Sequence, residues 1–227
     1  MAGLIRILIM LIGLQSLLSG CGSDGQRSPA DLLRLTVSGL SAREQYTFNG
    51  ESVGTLQAGE EKTVFSGTVQ RHDGLKLKQI GGVTLLSSGS DRLGDDGYNP
   101  SALLEGLLRH KAAVKLDEAR SDSGTACLIV TPRKEQSQRL WRERLDKQRK
   151  GVRTLRASDN SGLKSLGEQD WSARMSTLQA RTEYVLLVDR HRLVPISLTE
   201  NSTLTYNTKG SAKEEKRRIA FQFHGFH

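Results

Sequence analysis

Thiols, imidazoles and carboxylates are the groups through which this chain could do covalent or acid–base chemistry, and they are sparsely set. Of its two cysteines, Cys127 lies within Thr125-Ala-Cys-Leu-Ile-Val-Thr131. That β-branched, apolar run reads as a strand, so the thiol is expected to be a small buried hydrophobe and not a nucleophile. His72-Asp73 and Asp189-Arg190-His191 bring an imidazole close to a carboxylate. Both fall in segments expected to be turns, where aspartate serves the backbone and histidine is solvated. His224 and His227 stand three apart with no cysteine or acidic ligand beside them, too little for a metal centre. Asp91, Asp95 and Asp96 resemble a calcium loop only in part, since glycine is missing from the sixth position and glutamate from the twelfth. A non-enzymatic protein with no cofactor and no metal is therefore expected.

The other thiol has a different setting. Arg6 precedes an apolar stretch from Ile7 to Leu18, broken only by Gly13, Gln15 and Ser16, and Leu18-Ser19-Gly20-Cys21 follows at once. About a dozen residues are too few to cross some 30 Å of hydrocarbon as a helix, but they suit a cleavable leader. The Leu-Ser-Gly-Cys run resembles the bacterial lipobox. The resemblance implies removal of residues 1–20 as a lipoprotein signal peptide, attachment of diacylglycerol to the Cys21 thiol, and acylation (palmitate or a similar chain) of the new amino terminus. Two or three acyl chains, at roughly 0.8 kcal/mol per buried methylene, hold a protein permanently where one holds it marginally. The expected location is the extracytoplasmic face of a cell membrane. The outer membrane is open if the cell has two, because Gly22 and Ser23 supply no acidic sorting residue.

Residues 21–28 then read as the lipidated cysteine and a flexible tether, Gly22-Ser-Asp-Gly-Gln-Arg-Ser28, leading into one domain over residues 29–227. At 36% apolar and 26% charged the chain is in the globular range, with a net charge of +8. The positive excess is concentrated between Arg133 and Arg156, where basic residues are opposed only by Glu135, Glu143 and Asp146, and it recurs at Lys213 to Arg218. Nucleic acid fits the charge but not the compartment, and is not expected as a partner.

Local patterns give the elements. Ser28 as cap and Pro29 just inside predict a helix through about Gly39, with Leu32, Leu33, Leu35 and Val37 as apolar contacts. A period of two follows around Tyr46 and Phe48, Phe65 to Val69, and Leu75 to Leu77, with Arg71-His-Asp-Gly74 as a tight turn and Gly81 to Ser87 as a further candidate strand. Asn99 and Pro100 start a second helix through about Lys111, with Leu103, Leu104, Leu107 and Leu108 on one face. Strands are expected at 113–119 and 125–131, then a basic helix at 136–152 with Leu140, Trp141 and Leu145 as its seam. Arg153 to Gln169 reads as a loop, and strands at 182–189, 193–199, 202–206 and 218–226 close the chain. The fold class is α+β: an antiparallel meander with few helices and a basic helical insertion around 135–156.

This order, together with Tyr98-Asn-Pro-Ser-Ala-Leu-Leu-Glu-Gly-Leu-Leu108 and Tyr184-Val-Leu-Leu-Val-Asp189 followed by Leu193-Val-Pro-Ile196, resembles the LolA/LppX-like lipoprotein superfamily. The resemblance implies an open, strongly curved half-barrel with helices over its concave face, and a function in binding or carrying an acyl chain or similar apolar ligand. The residues assigned to that ligand are Leu103, Leu104, Leu107 and Leu108, facing Tyr46, Phe48, Phe65, Leu187, Phe221 and Phe223. From the residues alone a filled core is the favoured reading of these leucines, and a gap between them and the sheet would make an apolar pocket instead. The basic helix has two readings as well. Arg139, Arg142, Arg149, Lys150 and Arg153 could meet anionic lipid headgroups, an anionic wall polymer or envelope proteins, or they could form a solvated face.

Overall fold

A computed structural model of the chain describes residues 27–56, 59–82, 98–158, 168–208 and 210–227. Cys21 with its leader, the aspartates at 91, 95 and 96, and residues 83–87 and 159–167 lie outside the described residues. The elements are α1 (Pro29–Ser41), β1 (Gln45–Leu56), β2 (Gly59–Gln70), β3 (Gly74–Gly82), α2 (Pro100–Arg109), β4 (Ala113–Asp117), a 3-10 turn (Glu118–Arg120), β5 (Thr125–Thr131), α3 (Lys134–Ser158), α4 (Glu168–Thr177), β6 (Gln179–Asp189), β7 (Val194–Thr208) and β8 (Ser211–His224).

All eight strands form one antiparallel sheet in the order β3-β2-β1-β8-β7-β6-β5-β4. Every neighbour is also a neighbour in sequence except β1 and β8, which meet inside the sheet as its third and fourth strands. The sheet is open, with β3 and β4 as its edges, and seven inter-strand steps of about 4.8 Å separate them. The chain passes from one edge to the other by way of α2, so that helix lies across the concave face.

The two helices expected from their caps form where their chemistry places them. The Ser28 hydroxyl accepts the Asp31 N–H at 3.1 Å, and the Asn99 Oδ1 accepts the Ala102 N–H at 3.2 Å. Each relieves a donor that the first helical turn leaves without a partner. Both helices end on the sheet through leucine. Leu32, Leu33, Val37 and Leu40 of α1 and Leu103, Leu104 and Leu107 of α2 join Tyr46, Phe48, Phe65, Leu128, Leu186, Leu198, Phe221 and Phe223 in one buried cluster.

Close packing on β1 and β2 depends on glycine. Phe48 pairs with Gly67 and Gly50 with Phe65 across the two strands. A Cβ on Gly67 would come 2.2 Å from the Phe48 ring, and one on Gly50 would come 2.1 Å from the Phe65 ring. Each ring thus lies over the bare backbone of the opposite strand. Phe48, Phe65 and Phe221 meet edge to face, with centroids 5.6–6.4 Å apart, a favoured aromatic geometry.

Three segments differ from the sequence reading. The helix expected to end near Val152 continues to Ser158, and a fourth helix, α4, occupies residues 168–177 where a loop was expected to close. The strands expected at 193–199 and 202–206 are one 15-residue strand, Val194–Thr208, with no turn at Glu200-Asn201. The last strand begins at Ser211 and takes in the basic run from Lys213. In the two strands a polar residue that suggested a break is held by a partner distant in sequence: Glu200 by Arg144 and Glu215 by Arg174.

Candidate binding site

Side chains fill the space between α2 and the sheet. Leu103, Leu104 and Leu107 are buried, as are Tyr46, Phe48, Phe65, Phe221 and Phe223, and Leu108 is half-buried at the cluster's margin. Tyr46 is tied to α2 by a 2.5 Å hydrogen bond between its hydroxyl and that of Ser101. Burial pushes its phenol up to about 12, so it stays protonated across the physiological range. Of the residues assigned to an apolar ligand, Leu187 differs in position. The alternation of β6 turns Ala180, Thr182, Tyr184, Leu186 and Val188 inward, leaving Leu187 on the opposite face. Leu186 and Val188 take its place in the cluster.

An apolar groove of about 480 Å³ opens at the rim of the sheet, where β7 begins and the chain ends. Its walls are Val194, Pro195, Ile196, Phe223 and Phe226, with Asp189, Arg192 and His224 at its border. Its lining continues into the core, because Phe223 belongs to the buried cluster and Phe226 packs against it. The Phe226 ring lies 6.0 Å from the Arg43 guanidinium and 5.7 Å from that of Arg192. The turn that builds one wall is held by hydrogen bonds to its own aspartate. Asp189 Oδ1 accepts the N–H groups of His191 at 2.9 Å and Arg192 at 2.8 Å, and Leu193 turns with φ 52°. Helix α1 approaches so closely that a Cβ on Gly39 would lie 2.3 Å from the Leu193 carbonyl oxygen. The Asp189 side chain accordingly holds the turn, and His191 joins it through its backbone N–H.

The other half of the concave face is covered by α3 and α4 through a second cluster of Trp141, Leu145, Leu178, Ala180 and Leu204. Between the two clusters runs a polar belt. Thr182 pairs with Ser202 and Tyr184 with Glu200 across β6 and β7. The Trp141 indole N–H donates to the Thr182 and Ser202 hydroxyls at 3.2 and 3.1 Å. The Arg144 guanidinium grips Glu200 with both terminal nitrogens, at 2.5 and 3.0 Å, and Glu200 is 1% exposed. Burial opposes the charge on Arg144, but the facing carboxylate outweighs it and raises the guanidinium pKa. Farther along, Glu215 receives Arg174 at 2.8 Å and also pairs with Arg217.

These arginines also sit on rings. The Trp141 ring has Arg144 at 5.0 Å and Arg217 at 5.3 Å, and Arg174 stands 4.2 Å over Tyr206. Cation–π contacts of this kind strengthen when desolvated. Sequence reasoning missed Arg144, Arg174, Glu200 and Glu215. The one available signal was that Arg144 falls between Trp141 and Leu145, on the helix's inward side.

The basic residues singled out in the sequence divide accordingly. Arg139 and Arg142 are exposed, and Arg139 Nη2 stands 3.5 Å from the His110 ring nitrogen. Arg149 is half-buried and stacks on Trp171 at 5.0 Å. Lys150 and Arg153 belong to α3 by backbone, but their side chains lie outside the described residues. Arg142 and Arg149 line a second groove, of about 510 Å³, between α3 and α4 with Asp146, Trp171, Ser172, Met175 and Ser176. Among the described residues no helix is long and apolar enough to cross a membrane, and no cluster of His, Cys, Asp and Glu could hold a metal ion. Cys127 is buried, and burial raises its thiol pKa.

No protein-family model and no curated protein matches the chain. Among solved structures it is similar to the lipoprotein LppX of Mycobacterium tuberculosis, at 8% identity and a TM-score of 0.32 over 89% of this chain and 96% of that one. A Vibrio parahaemolyticus domain assigned to outer-membrane lipoprotein sorting matches at 7% identity and a TM-score of 0.28, over 88% of this chain and 91% of that one. Lipovitellin matches at 8% identity and a TM-score of 0.33, over 81% of this chain and 25% of that one. The open half-barrel with helices over its concave face stands on its own strand order and register.

Proposed function

We propose that this chain is an envelope lipoprotein, held by lipid on Cys21, that binds an acyl chain or similar apolar ligand at the rim of its half-barrel and catalyses no reaction. The observation that supports this most is the groove between the start of β7 and the end of β8, whose apolar walls run into the core while Arg192 and His224 border it. Its size, about 480 Å³, is within the range of about 300–1,000 Å³ that small-molecule sites occupy. An apolar tail suits Val194, Pro195, Ile196 and Phe223, and an anionic end suits Arg192. The space beneath α2 is already filled by Leu104, Phe48 and Phe221, so the leucines act as structural support and the ligand is received beside them.

Native mass spectrometry of the full-length protein, followed by lipid extraction, tests this reading. Expected is a non-covalent apolar ligand at one per chain, with Ile196→Asp lowering its retention and leaving the fold intact. Protein that is consistently bare, or retention unchanged in Ile196→Asp, contradicts the rim site.

A further inference from the structure

The groove between α3 and α4 combines features that point to a different surface. Arg142, Asp146 and Arg149 follow at i, i+4 and i+7, which places them on one face of α3. Opposite them α4 presents Trp171, Ser172, Met175 and Ser176. The floor is thus apolar and polarisable, the rim cationic and hydroxylated. Arg144, Arg174 and Arg217 are committed inward to Glu200 and Glu215, so the outward charge of this region rests on Arg139, Arg142 and their neighbours. Indole and thioether side chains beside guanidinium groups suit the boundary between water and hydrocarbon, where a ring is half wetted and an arginine meets phosphate through paired hydrogen bonds.

We propose that this groove receives the phosphate headgroup of an anionic phospholipid and lays the α3–α4 end of the domain on the bilayer. Arg142 and Arg149 bind the phosphate from α3, Ser172 and Ser176 offer hydroxyl donors from α4, and Trp171 and Met175 meet the upper acyl region. Asp146 is the anionic side chain of the lining and offsets part of the positive charge. The site is independent of the rim groove. It rests on the membrane-anchored reading only for the geometry of approach.

The test uses full-length lipidated protein with vesicles of phosphatidylcholine alone or with about a third phosphatidylglycerol, the acyl chains carrying bromine as a fluorescence quencher. The chain has two tryptophans, and Trp141, 2% exposed, gives a constant background. Expected is strong quenching on anionic vesicles only, abolished by Trp171→Phe and reversed by high salt, which screens exposed charge. At about 1 kcal/mol per cation near the surface, Arg142→Gln with Arg149→Gln should lower the docked-to-free ratio roughly 30-fold, and Arg142→Gln alone roughly fivefold. The single variant and the salt titration keep the test decisive if the double variant disturbs the stack on Trp171.

Equal quenching on the two vesicles, quenching that survives Trp171→Phe, or indifference to salt and to Arg142→Gln overturns the proposal. So does binding of free polyphosphate without any difference between vesicles. Flotation separates the two readings. Failure to float with neutral vesicles counts against the anchor, while flotation with anionic vesicles that is lost in the arginine variants still supports the groove.

Discussion

Glu200→Gln is expected to be among the most damaging isosteric changes in this protein. Glu200 is 1% exposed and accepts both terminal nitrogens of Arg144, whose side chain is 13% exposed. The amide keeps the shape and the contact with Ser202, so no cavity is made, but Arg144 stays ionised without its counter-charge. Removing one partner of such a pair costs about 3–5 kcal/mol, because the surviving charge remains desolvated. For a domain of this size about 1 kcal/mol corresponds to a 2–4 °C shift in Tm, so Glu200→Gln should lower Tm by roughly 6–20 °C. Arg144→Met should cost a similar amount, and more of its loss should come from the abandoned ring contact with Trp141. The informative variant is the double one, Arg144→Met with Glu200→Leu, which removes both charges and both desolvation costs. Urea unfolding of the parent, Arg144→Met, Glu200→Leu and the double variant at constant m-value closes the cycle and gives the coupling energy. The double variant should lie within about 1–2 kcal/mol of the parent. If Glu200→Gln costs under about 1 kcal/mol, or if the double variant loses the sum of the singles, Arg144 and Glu200 do not form a desolvated pair and α3 is not seated as described.

Gly67→Ala places a methyl 2.2 Å from the Phe48 ring and should destabilise by about 1–3 kcal/mol through overpacking. Gly54→Ala, where the new Cβ meets nothing within 4 Å, should be neutral or slightly stabilising in the same denaturation assay. The Cys127 thiol is buried and its pKa raised, so alkylation by iodoacetamide at neutral pH should be slow in the native protein and fast in urea, and prompt native labelling would refute the burial. Asp122 is held below the usual carboxylate range by the backbone N–H groups of Thr125 and Gly124, at 2.6 and 2.8 Å. A depressed folded-state pKa supplies stability above the unfolded value and loses it as pH falls through the folded one. The stability gap between the parent and Asp122→Asn should therefore narrow as pH drops below about 4, and a gap that widens there would refute it.

Short-range chemistry was legible in the residues. The caps at Ser28 and Asn99, each followed by proline, mark helices whose first turns they complete, and the alternation through Tyr46 and Phe48 marks a strand buried on one side. Long-range compensation was not legible. Glu200 in the middle of β7 reads as a surface break until Arg144, 56 residues away, is seen to cover it. Helix α4 offers no leucine stripe. Its Trp171 and Arg174 dock through ring and ion-pair contacts with Arg149, Tyr206 and Glu215, a kind of packing that hydrophobic periodicity does not register. Leu187 illustrates a limit of period two, since in Tyr184-Val-Leu-Leu-Val188 every residue but the first is aliphatic and only the pairing fixes the parity. The rim groove was invisible because Phe226 and Val194 meet only after β7 and β8 have paired.

The most direct test of the central claim is native mass spectrometry of the mature protein extracted intact from its membrane. Expected is a mass that begins at Cys21, carries covalent acyl chains, and retains one further apolar molecule that dissociates on activation and is lost in Ile196→Asp. A chain with residues 1–20 still attached, an unmodified Cys21 thiol and no retained ligand would contradict it.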